Sequence, residues 1–107
     1  MSRDYVPDCW VVLELGNSTQ TIRKVFAGWY GGFTQGDSWK LNSGITETHF
    51  VDGWWEFLGH SGSVYRCHPN NYHMSSLMQS IYSNWLKQAE EQDIKIRILD
   101  LAEVVES

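Results

Sequence analysis

The sequence predicts an α+β fold: a curled antiparallel β-sheet of about five to seven strands, packed by one C-terminal amphipathic helix and followed by a final strand. Three observations carry this expectation. Short apolar and aromatic runs separated by turn residues fill residues 9–67, which is the patterning of strands and hairpins. From about Ser75 the apolar period becomes helical. Alternation then returns in Ile94-Lys95-Ile96-Arg97-Ile98, with the basic residues outward as on a half-buried strand. One twisted sheet with one helix laid on a face would satisfy all three.

The elements follow in order. Trp10-Val11-Val12-Leu13-Glu14-Leu15 is β-rich and stops at Gly16-Asn17-Ser18, a turn-forming cluster. A second strand runs from Thr21 to about Ala27, making the first hairpin. Gly28, Gly31, Gly32 and Gly36 then break regularity, because glycine at that density serves positive φ or close approach. Ser38-Trp39-Lys40-Leu41 alternates as a third strand. Thr48-His49-Phe50-Val51 and Trp54-Trp55-Glu56-Phe57-Leu58 flank Asp52-Gly53, the pairing expected of a two-residue hairpin loop. Gly59-His60-Ser61-Gly62 turns the chain again, and Ser63 to Cys67 returns as a strand. Met78, Ile81, Tyr82, Trp85 and Ala89 share one helical face, with Gln79, Ser83, Lys87 and Glu90 opposite. That face predicts Trp85 to be largely buried against the sheet. Ser76 with Gln79 fits a capping box, and Asp93 marks the exit. The tail Ala102 to Ser107 is ambiguous. Glycines and bulges suit a curled, partly closed sheet.

With 107 residues the chain reads as a single domain, residues 1–107. A net charge of −5 argues against non-specific binding to nucleic acid or anionic membranes, which requires clustered Lys and Arg. No apolar stretch approaches the roughly 20 residues that span a bilayer. The start, Met1-Ser2-Arg3-Asp4-Tyr5, is polar and lacks a signal-peptide core, so a cytoplasmic location is expected. There Cys9 and Cys67 stay reduced and act as small buried hydrophobes.

Between Gly28 and His68 lie eight of the nine glycines, four of the six tryptophans and three of the four histidines. Cores are filled more simply by Leu, Ile and Val. Aromatic bodies interrupted by Gly, Ser and Asn suit a recognition surface, where rings give rigid contact area and small polar groups give adaptable hydrogen bonds. The candidate binding residues are Trp39, Asn42, Ser43, Trp54, His60, Ser61, Ser63, Tyr65 and Arg66. Arg66 is the expected anchor, because its planar fork suits carboxylate or phosphate and also stacks on rings. The polar residues of this set are equally suited to satisfying turn backbone.

Catalytic and metal motifs are incomplete. Gly59-His60-Ser61-Gly62-Ser63 lacks the final glycine of a serine-hydrolase elbow and is followed by a strand instead of a helix. His60, Cys67, His68 and His73 lack the paired ligand spacing of a zinc site, and adjacent Cys67 and His68 on a strand point to opposite faces. Nothing pairs Cys67 with a base as thiol catalysis requires. The Gly59–Ser63 turn could cradle a phosphate with backbone N–H groups, beside Arg66, Lys40 and His68, with Trp54, Trp55 or Tyr65 stacking a base. Trp10 and Trp85 read as core, leaving few rings for sugar stacking.

Gly36-Asp37-Ser38-Trp39-Lys40-Leu41-Asn42-Ser43-Gly44-Ile45, followed by Gly59-His60-Ser61-Gly62-Ser63-Val64-Tyr65-Arg66-Cys67-His68, resembles a pattern in small uncharacterised early or accessory proteins of tailed bacteriophages. The resemblance extends over roughly Cys9 to Tyr72. It implies a role inside the infected bacterial cell, blocking or redirecting host machinery, and assigns no catalytic residue. The expectation is therefore a non-enzymatic binding protein without a cofactor. Its partner would be a host protein, a defence component included, or a small anionic, nucleotide-like signal. The alternative is a small hydrolase or nuclease-like enzyme using His60, His68 and a carboxylate such as Asp37 or Glu56. With this many aromatics on a small domain, apolar surface left uncovered makes a two-fold homodimer a further expectation.

Overall fold

A computed structural model of the protein describes residues 4–31 and 36–105. The glycine break at Gly32 and the end of the tail, Glu106-Ser107, lie outside those residues. The α+β class holds. The described residues form eight strands: β1 (Asp4–Tyr5), β2 (Cys9–Gly16), β3 (Thr21–Trp29), β4 (Ser38–Leu41), β5 (Ile45–Val51), β6 (Trp54–Gly59), β7 (Val64–Cys67) and β8 (Lys95–Ile98). The main helix α1 (Ser76–Glu91) precedes β8, and the ambiguous tail forms a short helix, α2 (Leu101–Val105).

The strands divide into two four-stranded sheets, where the sequence led us to expect one. The outer sheet has the order β1-β7-β6-β5 and the inner sheet β4-β3-β2-β8. All pairings are antiparallel except β1 with β7. The reason is legible in β2. Cys9, Trp10, Val11, Val12 and Leu13 are all buried, a continuous apolar run that needs cover on both faces, and one helix covers only one. Trp10 and Val12 face the outer sheet, packing with Trp55, Phe57, Tyr65 and Cys67. Cys9, Val11 and Leu13 face α1 and pack with Phe26 and Met78. The layers are therefore helix, inner sheet, outer sheet.

Two polar devices lock these layers. The Trp10 indole Nε1 donates to the His68 carbonyl at 2.7 Å, tying β2 to the end of β7. The Tyr72 hydroxyl accepts from Val12 N at 3.1 Å and donates to the Leu99 carbonyl, so it satisfies backbone groups between β2 and the end of β8. Both arrangements give buried donors the partners they need.

The β5–β6 hairpin forms through Asp52-Gly53, with φ of 53° and 84°, the left-handed pair required by a type I′ turn. The helix start differs by one residue from the sequence expectation. Ser75, not Ser76, is the N-cap: its Oγ accepts from Met78 N at 3.2 Å, while Met78 Sδ takes the Ser75 N–H. Gln79 reaches back instead to the Met74 carbonyl. Met78 and Ala89 of the expected apolar face are buried, but Ile81, Tyr82 and Trp85 are only half-buried. Trp85 lies over Phe26 and Trp39, with ring centroids 4.9 and 5.5 Å away. The short edge strand β4 covers it on one side only. Trp85→Ala is accordingly expected to cost less than the ~3–5 kcal/mol of a fully buried ring, which thermal unfolding of the variant measures.

Candidate functional site

The turn after β4 and the turn between β6 and β7 meet through Asn42–Gly44 and Gly59–Ser63. Leaving β4, Asn42 donates its N–H to the Val25 carbonyl at 3.0 Å and accepts Val25 N–H on Oδ1 at 2.8 Å. Its side chain stands in for a strand partner where the chain crosses from the inner to the outer sheet. Ser43 Oγ then accepts from Ser61 N at 3.2 Å and donates to Ser61 Oγ at 3.4 Å, and Ser61 Oγ donates to Ser63 Oγ at 3.4 Å. His60 N–H donates to the Gly44 carbonyl at 3.3 Å. Gly44 has φ of +133°, and a Cβ there would lie 3.0 Å from the His60 ring, so glycine suits both the backbone conformation and the close approach of the imidazole. A methyl on Gly59 would meet Asn42 Nδ2 and Ser43 Oγ at 3.1 Å. Asn42, Ser43, His60, Ser61 and Ser63 thus come together at one junction. Much of their hydrogen-bonding capacity is spent on each other and on turn backbone.

This junction borders a cleft of about 630 Å³ between the sheets, lined among others by Glu14, Arg23, Thr46, Glu47, Ser43 and His60. Such a volume is in the range of small-ligand sites. Its charges are largely self-paired. Glu14 accepts from Arg23 Nε at 3.2 Å and from Arg97 Nε at 3.1 Å, and Arg97 forks onto Glu103 at 2.8 and 3.2 Å. A signal for Glu14 existed in the sequence. It sits two residues after Val12 on the face of β2 that packs against the outer sheet, which marks where the apolar core gives way to paired charge.

Arg66 and Trp54 lie elsewhere, on the solvent face of the outer sheet. The cross-strand register places His49, Glu56 and Arg66 in one row and Val51 and Trp54 in the next, and alternation turns these side chains away from the core. The Arg66 guanidinium sits 5.4 Å from the Trp54 ring centroid. Arg66 Nε approaches Glu56 at 3.2 Å but is not aligned for a hydrogen bond, so the contact is an ion pair only. Trp54 meets the His68 ring edge-on at 4.8 Å, and His68 Nδ1 accepts from Asn70 N, capping the 3-10 turn of Pro69–Asn71.

Two expected site residues lie apart from the serine turn. Tyr65 is 2 % exposed, packed in the core with its ring tilted against that of Tyr5 at 5.0 Å, and cannot hold a base. Trp39 is exposed, but on the helix side of the inner sheet against Phe26 and Trp85. The phosphate cradle with Arg66 as anchor is therefore not assembled: the serine turn faces the cleft junction and Arg66 faces outward. The groups of the enzymatic alternative are likewise apart. His60 lines the cleft, His68 packs outside, Glu56 pairs with Arg66, and Asp37 accepts from Gly31 N. Among the described residues no three His, Cys, Asp or Glu side chains come together as metal ligands, and no helix is long and apolar enough to cross a membrane.

Both cysteines are free and buried. Burial pushes the Cys67 thiol well up. Burial, then the neighbouring Tyr5 and Cys67, pushes the Tyr65 phenol up to about 12, and burial also raises Tyr72. The folded chain thus holds protons that an unfolded chain releases from about pH 9–10. The resulting stability is complete below that range and is lost as pH climbs toward the folded-state values. The urea midpoint is expected to fall between about pH 8 and pH 11, and Tyr65→Phe should flatten that fall. A midpoint constant over this interval would contradict it.

Comparison with known proteins gives no matching family model, no matching curated protein and no matching solved structure.

Proposed function

We propose that the chain is a non-enzymatic, phage-type binding protein that acts in the host bacterial cytoplasm. It inhibits or redirects a host protein, a defence component included, by covering it with the solvent face of the outer sheet. One observation carries this reading. In a three-layer fold the inner sheet is covered on both sides, whereas among the described residues no element packs over the far face of the outer sheet, and that face holds the Trp54–Arg66 pair. Trp and Arg are the residues that dominate binding energy at protein interfaces.

The second reading is sequestration of a small nucleotide-like signal. The cleft has the volume for it and Arg23 stands in its wall, but the rings expected to stack a base lie outside it. Cross-linking mass spectrometry on complexes captured from host cells separates the two. Host-protein cross-links and reduced hydrogen exchange confined to β6 and β7 support the first reading. A mass gain in native mass spectrometry, with protection along Arg23 and Thr46, would replace it with the second.

A further inference from the structure

Four strands end the two sheets, and three of them are defended against pairing. Exposed edges are natural templates for another strand, and proteins blunt them with short length, lysine, proline or cover. β1 has two residues, β4 has four and carries Lys40, and β8 has four and carries Lys95 and Arg97. The start of β3, which β4 does not reach, carries Arg23 and Lys24. β5 is different. It has seven residues, Ile45-Thr46-Glu47-Thr48-His49-Phe50-Val51, with no lysine, arginine or proline. Its Phe50 and Val51 are 55 % and 43 % exposed. The β-bulge between Ile45 and Glu47 leaves Glu47 to Val51 regular.

We propose that β5 pairs antiparallel with β5 of a second copy of this chain, about a two-fold axis at Thr48. The sequence of the edge is self-complementary in that register. Glu47 of each copy lies opposite His49 of the other, Thr48 meets its own counterpart, and Val51 comes alongside Ile45. Pairing about His49 would instead set the two His49 side chains together and Glu47 against Val51. Pairing about Phe50 would leave Glu47 with no opposite residue. Cross-strand pairs that hydrogen-bond stabilise and like groups set together do not, so the Thr48 register, in which each Glu47 carboxylate can accept from a His49 ring, is selected. Within one chain Glu47 and His49 already stand 3.1 Å apart, and the second copy extends this into a four-residue row.

The arrangement has a consequence for binding. Strands added side by side continue a sheet, so the two solvent faces point the same way and form one eight-stranded surface. It presents the Trp54–Arg66 pair twice, which raises avidity for a partner that is itself paired. Ile45 to Thr48 also form one wall of the cleft, so the second copy lies along that wall.

Light scattering on the full chain is expected to give twice the chain mass. A variant with Lys at both positions (Glu47→Lys with His49→Lys) and a variant with Glu at both (His49→Glu) are each expected to give the mass of one chain. Both sites are exposed, so folding should be unaffected, as melting temperature checks. An equimolar mixture of the two variants is expected to regain the two-chain mass, because every opposed pair is then Lys with Glu. A single-chain mass for the unaltered protein across a wide concentration range would overturn the proposal. So would dimers that persist in both variants, or a mixture that stays monomeric. None of these outcomes bears on whether the outer face binds a host protein.

Discussion

Trp10→Ala is expected to remove a large share of the stability of the fold. The ring is fully buried between the sheets and contacts Phe57 and Tyr72, with centroids 5.5 and 4.7 Å away. Deleting it leaves a cavity that costs about 3–5 kcal/mol. Its Nε1 is also the donor to the His68 carbonyl, and losing that hydrogen bond costs a further ~0.5–1.5 kcal/mol, the carbonyl still accepting from Asn71 N at 3.0 Å. A domain of this size has roughly 5–15 kcal/mol in total, so the variant should lose a large share of its stability and unfold at a much lower urea concentration. Trp10→Phe separates the contributions, since it retains apolar bulk but removes the N–H. Urea unfolding followed by circular dichroism measures both. If Trp10→Ala melts within a few degrees of the unaltered protein, the inter-sheet core is not where the stability resides.

The elements of this fold were legible where local chemistry acts alone. The Asp52-Gly53 turn, the alternation of Lys95 to Ile98 and the helical face around Met78 each follow from short-range rules. The division into two sheets was not, because alternation within a strand says which faces are apolar and not what covers them. The unbroken burial of Cys9 to Leu13 held the clue: a strand apolar on both faces requires two covering layers. Within the candidate site, sequence proximity misled. Arg66 is three residues from Ser63, yet the strand between them carries Arg66 along the sheet and alternation turns it to the solvent face, away from the cleft. Tyr65, adjacent to it, is turned into the core for the same reason. Ser43 and Ser61, eighteen residues apart, meet because β5 and β6 form a hairpin whose open end brings both turns together. Trp39 stands only three residues before Asn42 in the sequence. The sheet crossing at Asn42 separates the two.

Trp54→Ala and Arg66→Ala are expected to abolish most partner binding without weakening the fold. Trp54 is half-buried on the outer sheet and Arg66 lies across its ring, so truncation opens no internal cavity. The Arg66–Glu56 pair is partly exposed, with side chains 40 % and 27 % accessible, and pairs of this kind contribute only ~0–1 kcal/mol. Melting temperatures should therefore stay within a few degrees. Binding is a different matter, because a desolvated Trp or Arg at the centre of an interface typically accounts for ~2 kcal/mol or more, about a thirtyfold rise in Kd. Arg66→Lys discriminates between charge and shape: lysine keeps the charge but lacks the planar fork that lies over the Trp54 ring, so it should restore only part of the affinity. Ser61→Ala, which alters the turn junction and leaves the face intact, should bind as the unaltered chain does. The decisive measurement is calorimetric titration of a captured host protein with each variant. Normal affinity for Trp54→Ala and Arg66→Ala, with loss confined to Ser61→Ala or Arg23→Ala, would move the binding surface from the open sheet to the cleft.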